Sequence, residues 1–365
     1  MRRRSGKRAT AVRNSCFSKS IALARFWSLA LLLVSCALPV AASSDPPGDN
    51  RPFLVAGDGD GMATVYFSCV DYDPDDEIDQ CGRKMHSDDS QDCYFVTLEV
   101  EDLAISKRQP IDCSRAWLKV FPINPAQYRI LDKHRDEIDF LAITGETSSS
   151  IWTLVDQHDL SPALRRYSSQ GVREFDIDWD GWSINPSGFT RLDIRDDFVV
   201  SVGKLCKGKF KKTGVMEECE GNSSSFRGDF GVLQVNLDDR KARAHVLGEA
   251  IGAMLADSTS SPLMHGGAVF VGWVRDGVNG AQLVLSSIDL RTGHYCEKIH
   301  MEPLANNFPV DIDLLDTTTG VLAAWSWDGI ITVARLDPQK WNDSCGADGV
   351  QMTRIDPLWQ AGQNP

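Results

Sequence analysis

The run AVFVGWVRDGVNGAQLVLSSIDLRTGHYCEKI (268–299) decides the fold. It opens on a continuous apolar strand, AVFVGW (268–273). A turn-like stretch, DGVNG (276–280), leads to a second apolar strand that ends in an acid, LVLSSID (283–289). The turn LRTG then gives way to a more polar strand, YCEKI (295–299). Unbroken apolar runs bounded by turn residues read as strands buried on both faces. The more polar last strand reads as an outer edge.

The same pattern recurs along the chain. Acid-terminated apolar strands stand at YFVTLEVED (94–102), IWTLVD (151–156), VLQVNLD (232–238), LVLSSID (283–289) and ITVARLD (331–337). Their terminal aspartates are 54, 82, 51 and 48 residues apart. Each is preceded by another apolar strand: TVYF (64–67), IDFLAI (138–143), FVVSV (198–202), AVFVGW (268–273) and GVLAAW (320–325). Shorter strands come before these pairs, at YRIL (128–131), FTRLDI (189–194) and VDIDLL (310–315). More polar ones follow, at WLKVF (117–121), VREFDI (172–177), ARAHVL (242–247), YCEKI (295–299) and MTRI (352–355). Four strands in a unit of about 50 residues is the signature of a β-propeller. The expected fold is therefore all-β: a single propeller over 53–365 with five four-stranded blades. A sixth, degenerate blade is the alternative for the long 156–238 interval, and a β-sandwich or a pair of β domains is the competing architecture.

The first 42 residues differ from the rest. They carry eight Lys/Arg, no acid, an apolar run from Phe26 to Leu38, and small residues before a cut after Ala42. These are the parts of a secretory signal peptide, and the apolar run is short for a membrane span. Residues 43–52 read as a flexible lead-in. LVSC (33–36) resembles the lipobox of bacterial lipoproteins, which would make Cys36 a lipidated first residue. The expected location is periplasmic or secreted, with a lipid anchor in the outer membrane as the alternative.

Taking the eight leader bases from the chain's 38 leaves 30 against 51 acids, a balance of −21. Such a body repels nucleic acid and anionic membranes. Outside the leader region the cysteines are Cys69, Cys81, Cys93, Cys113, Cys206, Cys219, Cys296 and Cys345. An even set in an exported chain reads as disulfides, with connectivity left open. No CxxC supports a zinc ribbon or thioredoxin-type site.

Two short motifs carry a resemblance, both in the last third of the chain. LSSIDLRTG (285–293) resembles the turn between third and fourth strands in quinoprotein-type (PQQ-like) propellers. LDTTTG (315–320) is a looser echo that falls before a second strand. WSWDG (325–329) resembles a turn of the propeller in periplasmic translocation proteins. The resemblance implies a bacterial-envelope propeller and transfers no quinone-binding residue.

Chemistry has few candidates. CVDYDPDDEIDQC (69–81) sets Asp71, Asp73, Asp75 and Asp79 at a spacing that resembles thrombospondin type 3 calcium loops. Oxygen ligands at such spacing suit Ca²⁺, although Asp76 stands where a sharp turn favours Gly. Residues 58–102 hold 14 acids and two bases. This stretch is expected to form an acidic loop in blade one, stapled by Cys69, Cys81, Cys93 and Cys113. Asp176, Asp178 and Asp180 form a second calcium candidate, read equally as a strand with acids out and Phe175, Ile177 and Trp179 in. The basic excursion KGKFKK (207–212) between Cys206 and Cys219 reads as a solvated loop or a docking patch.

No G-x-S-x-G or H-E-x-x-H motif is present, and the seven histidines are scattered. Five-bladed furanosidases place acids on innermost strands, where Asp58, Asp132, Asp193 and Asp311 are the candidates. The expectation is a non-catalytic binding or scaffold module, monomeric, meeting a protein or glycan and needing no cofactor except Ca²⁺ at the acidic loop. The alternatives are a carbohydrate-active hydrolase with paired axial carboxylates, or a lipoprotein envelope-assembly factor.

Overall fold

A computed structural model describes residues 52–57, 61–69, 92–111, 119, 124–135, 137–138, 142–155, 162–186, 190–207, 227–251, 259–277, 280–300, 312–327, 330–346 and 348–355. All belong to the compact unit Pro39–Pro365. Residues 1–51 with Cys36, the acidic stretch 70–91 and Cys113 and Cys219 lie outside the described residues. Among the described residues, no helix is long and apolar enough to cross a membrane.

Five antiparallel sheets follow one another along the chain, each an up-and-down meander. Blade one comprises β1 (Phe53–Ala56), β2 (Met62–Cys69), β3 (Asp92–Glu99) and β4 (Ile105–Ile111). Blade two comprises β5 (Ile143–Thr147), β6 (Ser150–Val155), β7 (Ala163–Ser168) and β8 (Gly171–Phe175). A short strand, β9 (Trp182–Pro186), precedes blade three: β10 (Asp193–Arg195), β11 (Phe198–Lys207), β12 (Arg227–Asn236) and β13 (Lys241–Ile251). Blade four is β14 (Leu263–His265), β15 (Ala268–Gly277), β16 (Gly280–Asp289) and β17 (Tyr295–His300). Blade five is β18 (Ile312–Thr317), β19 (Gly320–Trp327), β20 (Ile330–Leu336) and β21 (Val350–Ile355). Helix α1 (Pro125–Lys133) joins blades one and two, and α2 (Pro338–Ser344) joins β20 to β21.

The five-bladed expectation holds, and the described residues of the 156–238 interval form no sixth blade. The interval contains β7 and β8, the strands of blade three up to β12, and β9, which pairs with β11 where β10 ends. Blade two departs from its predicted strands. IWTLV is its second strand rather than its third, and YRIL lies in α1. The third strand is β7, ALRRYS, whose two arginines hide it from an apolar scan. Arg166 is tolerated because its guanidinium lies over the ring of its cross-strand partner Trp152, 5.7 Å from the centroid. Such stacking favours a cation on an aromatic face. In blade one the fourth strand is β4, ISKRQPI, not WLKVF. Its side chains between the terminal isoleucines are all exposed.

The core lies in the seams. Blades two and three share Trp152, Leu164, Ile184 and Leu233. Blades three and four share Phe230, Val271 and Trp273, and blades four and five share Phe270, Val321 and Trp341. Blades five and one share Leu322, Val333, Val65 and Leu98. Each such side chain contributes about 1.5–3 kcal/mol on burial. The far face of blade two packs against α1 through Ile130, Ile151 and Tyr167. Asn124 caps α1 by accepting the Ala126 N–H, with Pro125 at the first helical position.

The repeated terminal acid now has a physical account. Asp289 Oδ1 accepts N–H groups of Arg291 and Thr292 and the Thr292 hydroxyl, and Gly293 takes φ +72°. These bonds hold the Asp289 carboxyl below the ordinary range, the Thr292 N–H contributing most. Asp337 likewise accepts from Gln339 and Lys340 N–H groups and starts α2, and Asp102 accepts from Ala104 N–H. In blades one, four and five the acid pins the turn after the third strand; in blade three Asn236 and Asp239 accept the turn N–H groups instead, and Asp156 lies outside the described residues. This local chemistry explains LSSIDLRTG without a shared quinoprotein ancestry.

Candidate functional site

Each blade's first strand has one edge unpaired within its own sheet. Around the ring β5 touches β10, β10 touches β14, β14 touches β18 and β18 touches β1. An open edge presents unsatisfied N–H and C=O groups, and here the neighbouring blade supplies partners. Leu54 N–H donates to Asp313 Oδ2 at 2.8 Å, joining the first blade to the last. Met264 N–H donates to Asp193 Oδ2 at 2.5 Å, and Arg191 N–H to Ser261 Oγ at 3.1 Å. Leu192 N–H donates to the Thr144 carbonyl at 2.8 Å.

At the centre of this stitching is a four-residue ionic network from blades three, four and five. Asp316 Oδ1 is 2.6 Å from His265 Nδ1, and its Oδ2 is 2.5 Å from Arg195 Nη1. Arg195 Nε also lies 3.5 Å from Asp193 Oδ2. Burial alone would raise the Asp316 carboxyl, but bonds from His265 and Arg195 outweigh it and hold the group below the usual range. Asp193 goes the other way: burial raises it despite the Met264 N–H and Arg195. Glu146, on β5, is also raised by burial, with the Arg191 charge opposing. Its side chain is nonetheless exposed to water.

Of the four axial acids proposed from sequence, Asp193 belongs to this network. Asp132 sits exposed on α1, away from any first strand, and Asp58 and Asp311 lie outside the described residues. The sequence reading missed Arg195, His265, Asp313, Asp316 and Glu146. Their shared signal is a charged residue within a few positions of a two-residue turn, where a first strand passes to a second.

The metal candidates divide. Asp71, Asp73, Asp75 and Asp79 lie outside the described residues. Asp176, Asp178 and Asp180 are exposed and alternate with buried Ile177 and Trp179. Asp178 Oδ1 accepts the Asp180 N–H at 3.2 Å, and Asp180 is 3.9 Å from Lys207 Nζ. Among the described residues, one group of three or more ligating side chains converges: His294, Cys296 and Cys345. Cys296 and Cys345 form a disulfide from β17 to the end of α2, tying blade four to blade five. Cys93 and Cys206 are also disulfide-bonded.

Comparison with known proteins finds no family model and no curated protein that matches this sequence. Among solved structures, the apocarotenoid oxygenase of Synechocystis matches 84% of this chain at 9% identity and TM-score 0.32. The chain spans 61% of that enzyme's length. CoXyl43, a GH43 β-xylosidase/α-arabinofuranosidase from a compost microbial metagenome, matches 85% of this chain and 93% of its own at 10% identity and TM-score 0.30. A GH43_1 enzyme from Xanthomonas citri matches 88% of this chain and 92% of its own, at 9% identity and TM-score 0.29. The blade architecture rests on the sheets themselves, and no activity is drawn from these likenesses.

Proposed function

We propose that this protein is an exported propeller that works by binding a protein or glycan partner, not by cutting one. The observation that carries the reading is where the axial carboxylates are directed. Both oxygens of Asp316 are taken by His265 and Arg195, and Asp193 and Asp313 accept backbone N–H groups of neighbouring blades. A carboxylate bonded in this way has a structural task, whereas a general acid or nucleophile must point at a substrate. Export follows from the leader, with residue 43 or a lipidated Cys36 as the mature start. Ca²⁺ at Asp71, Asp73, Asp75 and Asp79 would stiffen the acidic loop; addition of Ca²⁺ should then raise the melting temperature and EDTA should lower it.

The test presents the purified protein with a panel of plant and bacterial glycans and follows both binding and bond cleavage. Saturable binding without product is expected. A hydrolase is the second reading, favoured by the divergence of the axial acids: Glu146 and Asp193 raised, Asp316 lowered. Acids pushed apart in this way are what paired-carboxylate chemistry requires. Turnover that disappears in Glu146→Gln or Asp316→Asn would replace the binding reading with this one.

A further inference from the structure

We propose that His294, Cys296 and Cys345 form a redox-gated zinc site, closed as a disulfide and open to one Zn²⁺ when reduced. The three residues come from separate pieces of local structure that happen to meet. His294 ends the turn pinned by Asp289: its N–H donates to Thr292 Oγ1 and its carbonyl accepts from the Asp289 N–H. Cys296 is a buried position on β17. Cys345 is the C-cap of α2, exposed and in the left-handed region at φ 50°, followed by Gly346 at φ +84°.

The distances fit an ion. His294 Nε2 is 3.3 Å from Cys296 Sγ and 3.9 Å from Cys345 Sγ. A thiolate at about 2.3 Å and an imidazole nitrogen at about 2.0–2.1 Å from a tetrahedral Zn²⁺ stand roughly 3.6 Å apart. The two observed separations bracket that value before any movement. Only the two sulfurs must part, and Cys345 is placed to do so: it is exposed, at a helix end, beside a glycine. The ligand set is borderline-soft, two thiolates and one imidazole, which selects Zn²⁺ over Ca²⁺ or Mg²⁺. Three protein ligands leave the fourth position to water.

The chemistry balances with an external thiol reductant. Two R–SH groups give up two electrons and two protons to the Cys296–Cys345 bond, leaving two Cys–SH and one R–S–S–R. Zn²⁺ then replaces the two thiol protons, which go to solvent, while neutral His294 donates the Nε2 lone pair.

The test uses the whole purified protein, reduced with a phosphine so that no added thiol competes for metal. A phosphine takes up the oxygen of water and likewise leaves two thiols. Co²⁺ serves as the spectroscopic stand-in for Zn²⁺. Reduced wild type is expected to bind one more equivalent of Co²⁺ than Cys296→Ser/Cys345→Ser, with thiolate charge-transfer absorption that Zn²⁺ abolishes. Reduction removes the disulfide from wild type and variant alike, so His294→Ala, which keeps both thiols, carries the decisive comparison. This residue is exposed and its removal leaves the disulfide intact. Its reduced form should bind Co²⁺ about 10-fold more weakly or worse, in line with losing one ligand of three. Equal uptake by wild type and the double serine variant, or an unchanged affinity and spectrum in His294→Ala, would overturn the site.

Discussion

Ser286 and Ser287 show how much a single hydroxyl can decide. They are neighbours on β16 and so point to opposite faces. Ser286 Oγ accepts the indole N–H of Trp273 at 2.9 Å on the side of blade three. Ser287 Oγ accepts that of Trp341 at 2.7 Å on the side of blade five. Both tryptophans are fully buried, so each N–H depends on its serine. Ser287→Ala should lower stability by about 1–3 kcal/mol, the cost of an orphaned buried donor. The readout is a reduced urea midpoint at unchanged slope; an unmoved midpoint would mean that the indole finds another acceptor. The axial network predicts a pH effect. The folded pKa of Asp316 is depressed, so its contribution is present above the ordinary value of 3.8 and lost as pH falls through the folded value. Asp193, raised by burial, has the opposite sign: its contribution is present below the ordinary value and lost as pH rises through the folded one. Asp316→Asn should thus be less stable than wild type at neutral pH, with the gap closing in acid, whereas Asp193→Asn should show no such deficit at neutral pH. Thermal unfolding across the acid range checks both, and a deficit of constant size would rule out an electrostatic origin.

Among elements, the strands that sequence revealed are those sandwiched between blades. AVFVGW and LVLSSID are buried on both faces, and the two serines of the second are taken up by buried indoles. The strands it missed obey other rules. β4 has no second layer over it and carries whatever charge the surface tolerates. β7 rests on α1 on one face and stacks Arg166 on the other. YRIL looks like a strand in isolation, but Asn124 and Pro125 start a helix just before it, and that capping signal outweighs local β preference. The axial site was harder to read, since its residues are drawn from several blades and only the ring brings Arg195 to Asp316. Close approach at the axis also fixes glycine. A Cβ on Gly145 would lie 2.5 Å from Leu192 Cβ and 2.6 Å from its carbonyl oxygen. Gly145→Ala is therefore expected to cost about 1–3 kcal/mol by forcing β5 from β10. The melting temperature measures it, and wild-type stability would mean that the blades yield at that seam.

For the whole molecule, the decisive feature is how the ring is closed. Many closed sheets could share a strand between first and last units, but here β1–β4 and β18–β21 are each one continuous stretch of chain. The closing seam is held by side-chain packing and by hydrogen bonds: Leu54 N–H to Asp313, the Arg335 guanidinium to the Glu101 carbonyl and the Gln351 amide to the Asp102 carbonyl. Asp313→Ala should speed hydrogen exchange at the Leu54 amide and lower stability by about 0.5–1.5 kcal/mol. Unaltered exchange would assign the seam to packing and to the Arg335 and Gln351 bonds.

That seam also sets an order of events. Its two partners are 259 residues apart, whereas every blade is assembled from near neighbours. Contacts that close long loops form late. Hairpins and adjacent seams can form as the chain is delivered, while the apolar face of blade one, with Val65 and Leu98, waits for the last blade. Until that moment a nearly complete ring carries an uncovered sticky flank. The newly made chain is therefore most vulnerable to self-association just before its synthesis and folding are finished.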